Sequence, residues 1–217
     1  MGNARMTAAW LAGGWLMFAG MAGMAGAADA PKTADKAAVK PAATKDGGKD
    51  AAKAGEDVAV LQTTMGKIVF RFFDKDAPKH VANFKKLASE GFYNGTTFHR
   101  VIPGFMIQGG DPNSKDADRS NDGQGGSGTN IPAEFNSNKH LRGTVSMARA
   151  SDPNSASCQF FICVAPSSFL DGKYSVFGQV VEGMDAVDKI VGVPRDARDN
   201  PLDKVVIEKV TIEKRKL

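Results

Sequence analysis

The sequence predicts a mainly β domain, closed as a barrel or a curled sheet, and three observations carry that prediction. Short apolar runs recur between turn signals along the C-terminal three quarters of the chain. Helical periodicity shows only twice, once early and once late. Nothing alternates as strand–helix–strand, so a doubly wound sheet is excluded. Closure is the natural solution for so many strands because it leaves few unpaired edges.

The elements follow in order. Val58–Thr63 and Lys67–Phe72 read as two strands joined at Met65-Gly66, a hairpin. A helix follows, with Asp76 as the expected N-cap, Pro78 in the first turn, and Val81, Phe84, Leu87 and Ala88 as its apolar stripe. Gly91 stands where a helix-ending glycine belongs. Further strands are expected at Phe98–Val101, Phe105–Gln108, Thr144–Met147, Gln159–Val164 and Val176–Val180. Met184, Val187, Ile190 and Val191 mark a second helix over Met184–Val191, and Val205–Ile212 is the closing strand.

The 217 residues are 42% hydrophobic and 24% charged, with 13 Phe, enough apolar material for one core. A net charge of +4, without a basic stripe and interleaved aromatics, argues against a nucleic-acid partner. At the N-terminus Arg5 precedes an uncharged stretch from Thr7 to Met24 containing Trp10, Leu11, Trp15, Leu16, Met17 and Phe18. Small residues follow at Ala25-Gly26-Ala27-Ala28. Residues 1–28 therefore read as a Sec-type signal peptide, with an uncleaved anchor as the rival. Residues 29–57 hold no aromatic residue and a single Val, too little to offset ordering entropy, and read as a disordered Ala/Lys-rich linker. The folded domain is expected over 58–217. A periplasmic or secreted monomer is expected, without stable membrane insertion after cleavage.

Several patterns fail on inspection. Gly123-Gln124-Gly125-Gly126-Ser127-Gly128 matches a dinucleotide fingerprint by letters, but polar residues precede it and Thr129-Asn130-Ile131-Pro132 follows, so it reads as a loop. Asp116-Ala117-Asp118-Arg119-Ser120 opens like a calcium loop, yet Asn121 and Ser127 stand where Gly and Glu are required. His80, His99 and His140 have no metal-ligand spacing, and no nucleophile elbow occurs. No metal and no cofactor is expected. Cys158 and Cys163 lie in one strand-like run at an odd separation, on opposite faces and about 16 Å apart along an extended chain, too far for a disulfide. Two buried thiols are expected, with Cys158 a weaker candidate redox handle.

Read by itself, Arg100 is a strand-end arginine on a solvated face. Its neighbours change that. The run Phe98-His99-Arg100-Val101-Ile102-Pro103-Gly104-Phe105-Met106-Ile107-Gln108-Gly109-Gly110-Asp111 resembles the signature of the cyclophilin family of peptidyl-prolyl cis–trans isomerases. So do Tyr93–Thr97, Gly143–Ala148, Gln159–Ile162 and Phe169–Gly178, and the resemblance covers Val58 to Leu217 in order. The sequence resembles the bacterial branch, which often has an exported member. The resemblance implies an eight-stranded antiparallel barrel capped by two helices, with a peptide groove on its outside.

It also implies roles. Arg100 would donate to the prolyl amide, and Gln108 would orient Arg100 and the substrate carbonyl. Phe105, Met106, Phe161 and Leu170 would form the proline pocket. Gln159 and the backbone at Ala148 and Arg149 would hold the chain before the proline. Three positions depart from the common eukaryotic pattern: Phe169 stands for Trp, Tyr174 for His and Arg149 for Asn. The missing indole donor at 169 implies weak cyclosporin binding. Arg149 adds a positive charge to the rim and points to a preference for acidic residues before proline. The implied partners are proline-containing segments of exported proteins. The alternative is a non-catalytic proline-peptide-binding or chaperone module on the same fold.

Overall fold

The computed structural model describes residues 55–217, so the signal segment and almost all of the expected linker lie outside the described residues. The first strand, β1, runs Glu56–Thr63 and pairs with β2, Gly66–Phe72, across a turn at Thr64-Met65. The Thr63 hydroxyl fixes that turn, donating to the Gly66 carbonyl at 2.6 Å and accepting from the Met65 N–H at 3.1 Å. Glu56 and Asp57 belong to β1 although their charge hides them in the sequence; Asp57 bonds Lys85 at 3.1 Å and Lys214 at 2.9 Å.

The remaining strands are β3 (Phe98–Ile102), β4 (Met106–Gly109), β5 (Thr144–Met147), β6 (Phe160–Cys163), β7 (Val176–Glu182) and β8 (Ile207–Arg215). They form one antiparallel sheet in the order β3-β4-β6-β5-β7-β2-β1-β8. The sheet curls until its end strands meet. A bridge between Thr97 and Val206 joins them, with Phe98 N–H to Val205 C=O at 2.9 Å and Ile207 N–H to Thr96 C=O at 2.7 Å. The closing strand therefore begins at Ile207, because Val205 and Val206 serve the junction.

The interior is aromatic. Phe84 stacks on Tyr93 at 4.7 Å and meets Phe70 and Phe160 edge-on at 5.2 and 5.6 Å. Each such pair adds about 0.5–1.5 kcal/mol beyond area burial. Phe84 comes from helix α1, Pro78–Ser89, whose residues Val81, Phe84, Leu87 and Ala88 are buried as their spacing predicts. Helix α2, Met184–Val191, buries Ala186, Val187, Ile190 and Val191 in the same core and leaves Met184 half-covered.

The N-cap of α1 differs from expectation. Ala77 takes that position and no local side chain caps the helix. Asp76 accepts from Asn138 Nδ2 instead, at 2.9 Å. The orphan N–H groups go to Glu134, which accepts from Lys79 N–H at 3.0 Å and His80 N–H at 3.0 Å, and contacts His80 Nδ1 at 2.7 Å. A carboxylate 54 residues away thus does the work of a cap. Burial alone would raise the Glu134 pKa, but the bonds from His80 and Lys79 outweigh it and hold the carboxyl below its ordinary 4.5. Its stabilisation is therefore complete above that value and is lost as pH falls through the depressed folded one. Glu134→Ala should lower stability by about 1–3 kcal/mol at neutral pH, read from urea midpoints, with the gap shrinking in acid. An unchanged midpoint at neutral pH would remove this capping role.

Candidate active site

The site begins with a counting mismatch between β3 and β4. Phe98 pairs with Gly109, but Arg100 pairs with Gln108, so His99 is an extra residue. In an unbroken strand Phe98 and Arg100 would share a face. The bulge separates them: Phe98 and Val101 enter the core, while Arg100 is turned outward and exposed.

Outward-facing partners then line up across the sheet. Arg100 pairs with Gln108, Gln108 with Phe161, and Phe161 with Ser146. The next row is Ile102, Met106 and Cys163. These strands lie about 4.8 Å apart, so the guanidinium stands beside an apolar surface only two strands wide. That surface is a second hydrophobic cluster, separate from the core. Met106, Phe161, Cys163 and Leu170 are buried in it, and Ile102, Phe105, Ala148 and Tyr174 pack against it half-buried. All four expected pocket residues are therefore brought together.

Each reaches the cluster differently. Phe105 precedes β4 and sits on a turn closed by its own N–H to the Ile102 carbonyl at 3.0 Å, with Gly104 at φ 73° making the reversal. Leu170 ends a short 3₁₀ turn, Ser168–Leu170. Phe169, on the same turn, is 61% exposed and touches Phe105 with ring centroids 5.3 Å apart. It forms the outer lip of the pocket rather than its wall. Tyr174 meets Phe161 edge-on at 5.8 Å.

The polar side of the site differs from expectation in one respect. Gln108 makes no hydrogen bond to Arg100; its Nε2 donates to Gln159 Oε1 at 2.9 Å. Gln159 in turn donates from its own Nε2 to Gly123 C=O at 3.0 Å and Gly125 C=O at 2.8 Å. Those glycines belong to the loop that mimics a dinucleotide fingerprint. The loop is held by Asp111, fully buried, whose carboxylate accepts from Asn113 N–H at 2.9 Å and from Gly123 N–H. A Cβ on Gly125 would collide with that carboxylate. The chain from Asp111 through the glycine loop to Gln159 fixes the Gln108 amide, and Arg100 keeps its guanidinium free of any hydrogen bond or ion pair among the described residues. Asp111 closes the diagnostic run in the sequence, but nothing local assigns it this task.

Arg149 also departs from expectation. Its guanidinium donates to Lys173 C=O at 3.1 Å, Ala150 C=O at 2.8 Å and Ser151 C=O at 3.1 Å, and lies 4.6 Å from the Tyr174 ring centroid. The side chain braces the rim by tying its own loop to the Lys173–Tyr174 segment. Ala148 N–H donates to Gln159 C=O at 2.9 Å, continuing the pairing of β5 with β6 past the ends of both strands. His140, which the sequence left unassigned, lies under the pocket with its ring nearly parallel to Phe161, 13° and 6.0 Å apart.

Several comparisons with known proteins agree with this geometry. The model of the family described as "Cyclophilin type peptidyl-prolyl cis-trans isomerase/CLD" matches residues 58–212. A Brucella abortus (strain 2308) protein named "Probable peptidyl-prolyl cis-trans isomerase" is 48% identical over 166 residues, 73% of this chain and 83% of that one. The "Peptidyl-prolyl cis-trans isomerase B" of Escherichia coli (strain K12) is 43% identical over 170 residues, 71% of this chain and 99% of that one. Among solved structures, the cyclophilin-type isomerase of Cryptosporidium parvum in the presence of the dipeptide Ala-Pro has a TM-score of 0.67 and 33% identity, covering 73% of this chain and 99% of that one. The chain belongs to the cyclophilin-type peptidyl-prolyl cis–trans isomerase family and is an enzyme of that class.

Both cysteines are free and buried, Cys158 in the core and Cys163 under the outer cluster, on opposite sides of the sheet. Burial pushes both thiols up to about 12. A redox role for Cys158 finds no support in this setting, since reactivity requires the thiolate. Neither thiol should react with an aromatic disulfide reagent in the native protein at pH 8, and both should react in denaturant. Rapid labelling of the native protein would contradict the burial.

Proposed function

We propose that the chain accelerates rotation about X–Pro bonds of exported proteins, with Arg100 as the donor to the prolyl nitrogen and the Phe105–Met106–Phe161–Leu170 pocket as the seat of the ring. The carrying observation is the Arg100 guanidinium, unpaired among the described residues, in the same outward row as Gln108 and Phe161. Amide rotation faces a barrier of about 20 kcal/mol because the C–N bond has partial double-bond character. Accelerating it by about 10⁵ requires roughly 7 kcal/mol of differential stabilisation. No bond is made or broken, so the reaction needs neither a nucleophile nor a metal.

The site's task is to favour the twisted amide over the planar one. Twisting localises a lone pair on the prolyl nitrogen. A fixed donor aimed there binds the transition state better than the ground state, which is the condition for catalysis. Arginine suits this task because it stays charged and its planar fork serves two acceptors at once. The apolar pocket holds the ring while the N-terminal side of the bond turns. Gln108, held by Gln159, leaves its Oε1 without a partner among the described residues, and together with the Ala148–Arg149 backbone it receives the peptide before the proline. The Arg149 guanidinium is committed to the Ala150, Ser151 and Lys173 carbonyls, which weighs against the preference for acidic residues before proline.

The exported setting rests on residues 1–28, whose basic start, apolar stretch and small-residue end follow the pattern of a cleaved signal. A periplasmic or secreted folding assistant follows, tethered or released according to cleavage. The intact mass of the exported protein tests this: loss of about the first 28 residues is expected, and a retained N-terminus would favour the anchor.

Arg100→Ala should lower kcat/KM at least tenfold in a refolding assay limited by X–Pro isomerisation, while affinity for a proline peptide changes little. Undiminished activity would overturn the donor role. Wild-type protein that binds such peptides without catalysing exchange would favour the non-catalytic module.

A further inference from the structure

Asp171, His140 and Ser146 form a line behind the proline pocket. His140 Nδ1 lies 3.0 Å from Asp171 Oδ1, and Nε2 lies 3.2 Å from Ser146 Oγ. The order is that of a nucleophilic triad, yet Ser146 is fully buried and His140 is 1% exposed, so no substrate reaches the hydroxyl. The arrangement has a different use, visible in what His140 holds.

We propose that His140 is a positioning residue that clamps the second wall of the pocket to its floor, an inference that rests on the isomerase reading above. Three contacts converge on the 3₁₀ turn carrying Phe169 and Leu170. The His140 carbonyl accepts from Ser167 N–H at 2.7 Å, just before the turn. The His140 N–H donates to Asp171 Oδ1 at 2.9 Å, just after it, and Nδ1 meets the same oxygen. The turn is therefore gripped at both ends by one residue. Its ring face supports Phe161 from below, and its far edge reaches Ser146 on β5. Floor and wall, which belong to segments with no ladder between them, are joined through one residue: its backbone makes two links to the turn and Nδ1 a third, while the ring alone reaches Phe161 and Ser146.

The proton inventory is consistent. His140 N–H, its ring and Lys139 hold the Asp171 carboxyl down at about 2, so it accepts, and Nδ1 carries the proton. Burial lowers the His140 pKa more than Asp171 raises it, so the ring is neutral near pH 7. Nε2 then carries no proton and faces the Ser146 hydroxyl at 3.2 Å, whose one proton it shares with the Ser175 carbonyl. The Ser175 carbonyl, also within 3.0 Å of that hydroxyl, already receives the Met147 N–H.

The test compares His140→Phe, His140→Asn and wild type by kcat and KM on an Ala-Pro peptide substrate, with thermal unfolding as a check of folding. Phenylalanine keeps the ring face and loses both polar edges. Asparagine keeps a donor at the position of Nδ1 and loses the ring. Pocket contacts exist in ground and transition states alike, so the clamp predicts a KM raised about fivefold or more in His140→Phe with kcat within about threefold. His140→Asn should recover most of that KM loss. A folded His140→Phe with wild-type KM would overturn the clamp. So would a KM in His140→Asn as high as in His140→Phe, since the Asp171 link would then not matter. Should the phenylalanine variant fail to fold, His140→Asn and His140→Gln decide: the clamp predicts the lower KM for asparagine, and equal values or the reverse order would overturn it. Inactive wild-type protein would overturn the isomerase reading and this inference with it. An active wild type beside an undiminished His140→Phe would overturn this inference alone.

Discussion

Arg100 faces solvent because β3 carries one residue more than β4 can pair with. That extra residue, His99, lets Phe98 and Val101 both point into the core while the intervening arginine turns out. Without it the alternation of a strand would send Arg100 inward beside Phe98, where an unpaired guanidinium is prohibitively costly. The bulge has a cost of its own. His99 is itself buried, neither ring nitrogen has a partner among the described residues, and burial pulls its pKa down. The core aromatics that flank it, with Phe98 and Phe160 at 6.2 Å, keep the register fixed against that cost.

From this one displacement the outer face acquires its division of labour. The Arg100–Gln108–Phe161–Ser146 row begins with a charge, passes through an amide to an aromatic ring, and ends on a buried hydroxyl. Each part has separate backing. Asp111 and the glycine loop lock the amides, His140 underlies the ring, and the closing 3₁₀ turn brings Leu170 over it. The guanidinium is the polar member of the row left without a bond among the described residues, and this leaves it available to a ligand. A site built mainly on strands, with its loops tied down by the buried Asp111 and the half-buried Asp171, is also preorganised. On the proposed mechanism, little reorganisation is then needed when charge localises on a twisted amide.

Much of the fold was legible because periodicity and turn chemistry agree. The bounds of β5 and α2 coincide with their apolar runs, and Gly91 ends α1 at φ 71° as a helix-ending glycine should. Asp76 misled because a good local cap was outcompeted by Glu134, whose approach to α1 depends on the whole fold. The grouping of the candidate site was partly legible: Arg100, Met106 and Gln108 share one run, and the second hydrophobic cluster adds Phe105, Phe161, Leu170, Ala148 and Tyr174 but not Gln159, Arg149 or Phe169. Their contacts were not legible. The Gln108–Gln159 bond joins residues 51 apart, and the bulge that aims Arg100 breaks the period from which strand faces are read. Likewise the glycine loop reads in the sequence only as a loop, and its service to Gln159 appears only when the chain entering β6 brings that side chain to it.

The account stands or falls on whether a proline residue sits in the cluster beside Arg100 while its amide turns. Two-dimensional NMR exchange on an Ala-Pro peptide, with substoichiometric protein labelled at its methyl and aromatic groups, tests both halves together. The predicted result is cis–trans exchange cross-peaks that require the protein, with shift changes concentrated at Met106, Phe161 and Leu170. Exchange unaffected by the protein, or peptide-induced shifts centred elsewhere on the barrel, would contradict it.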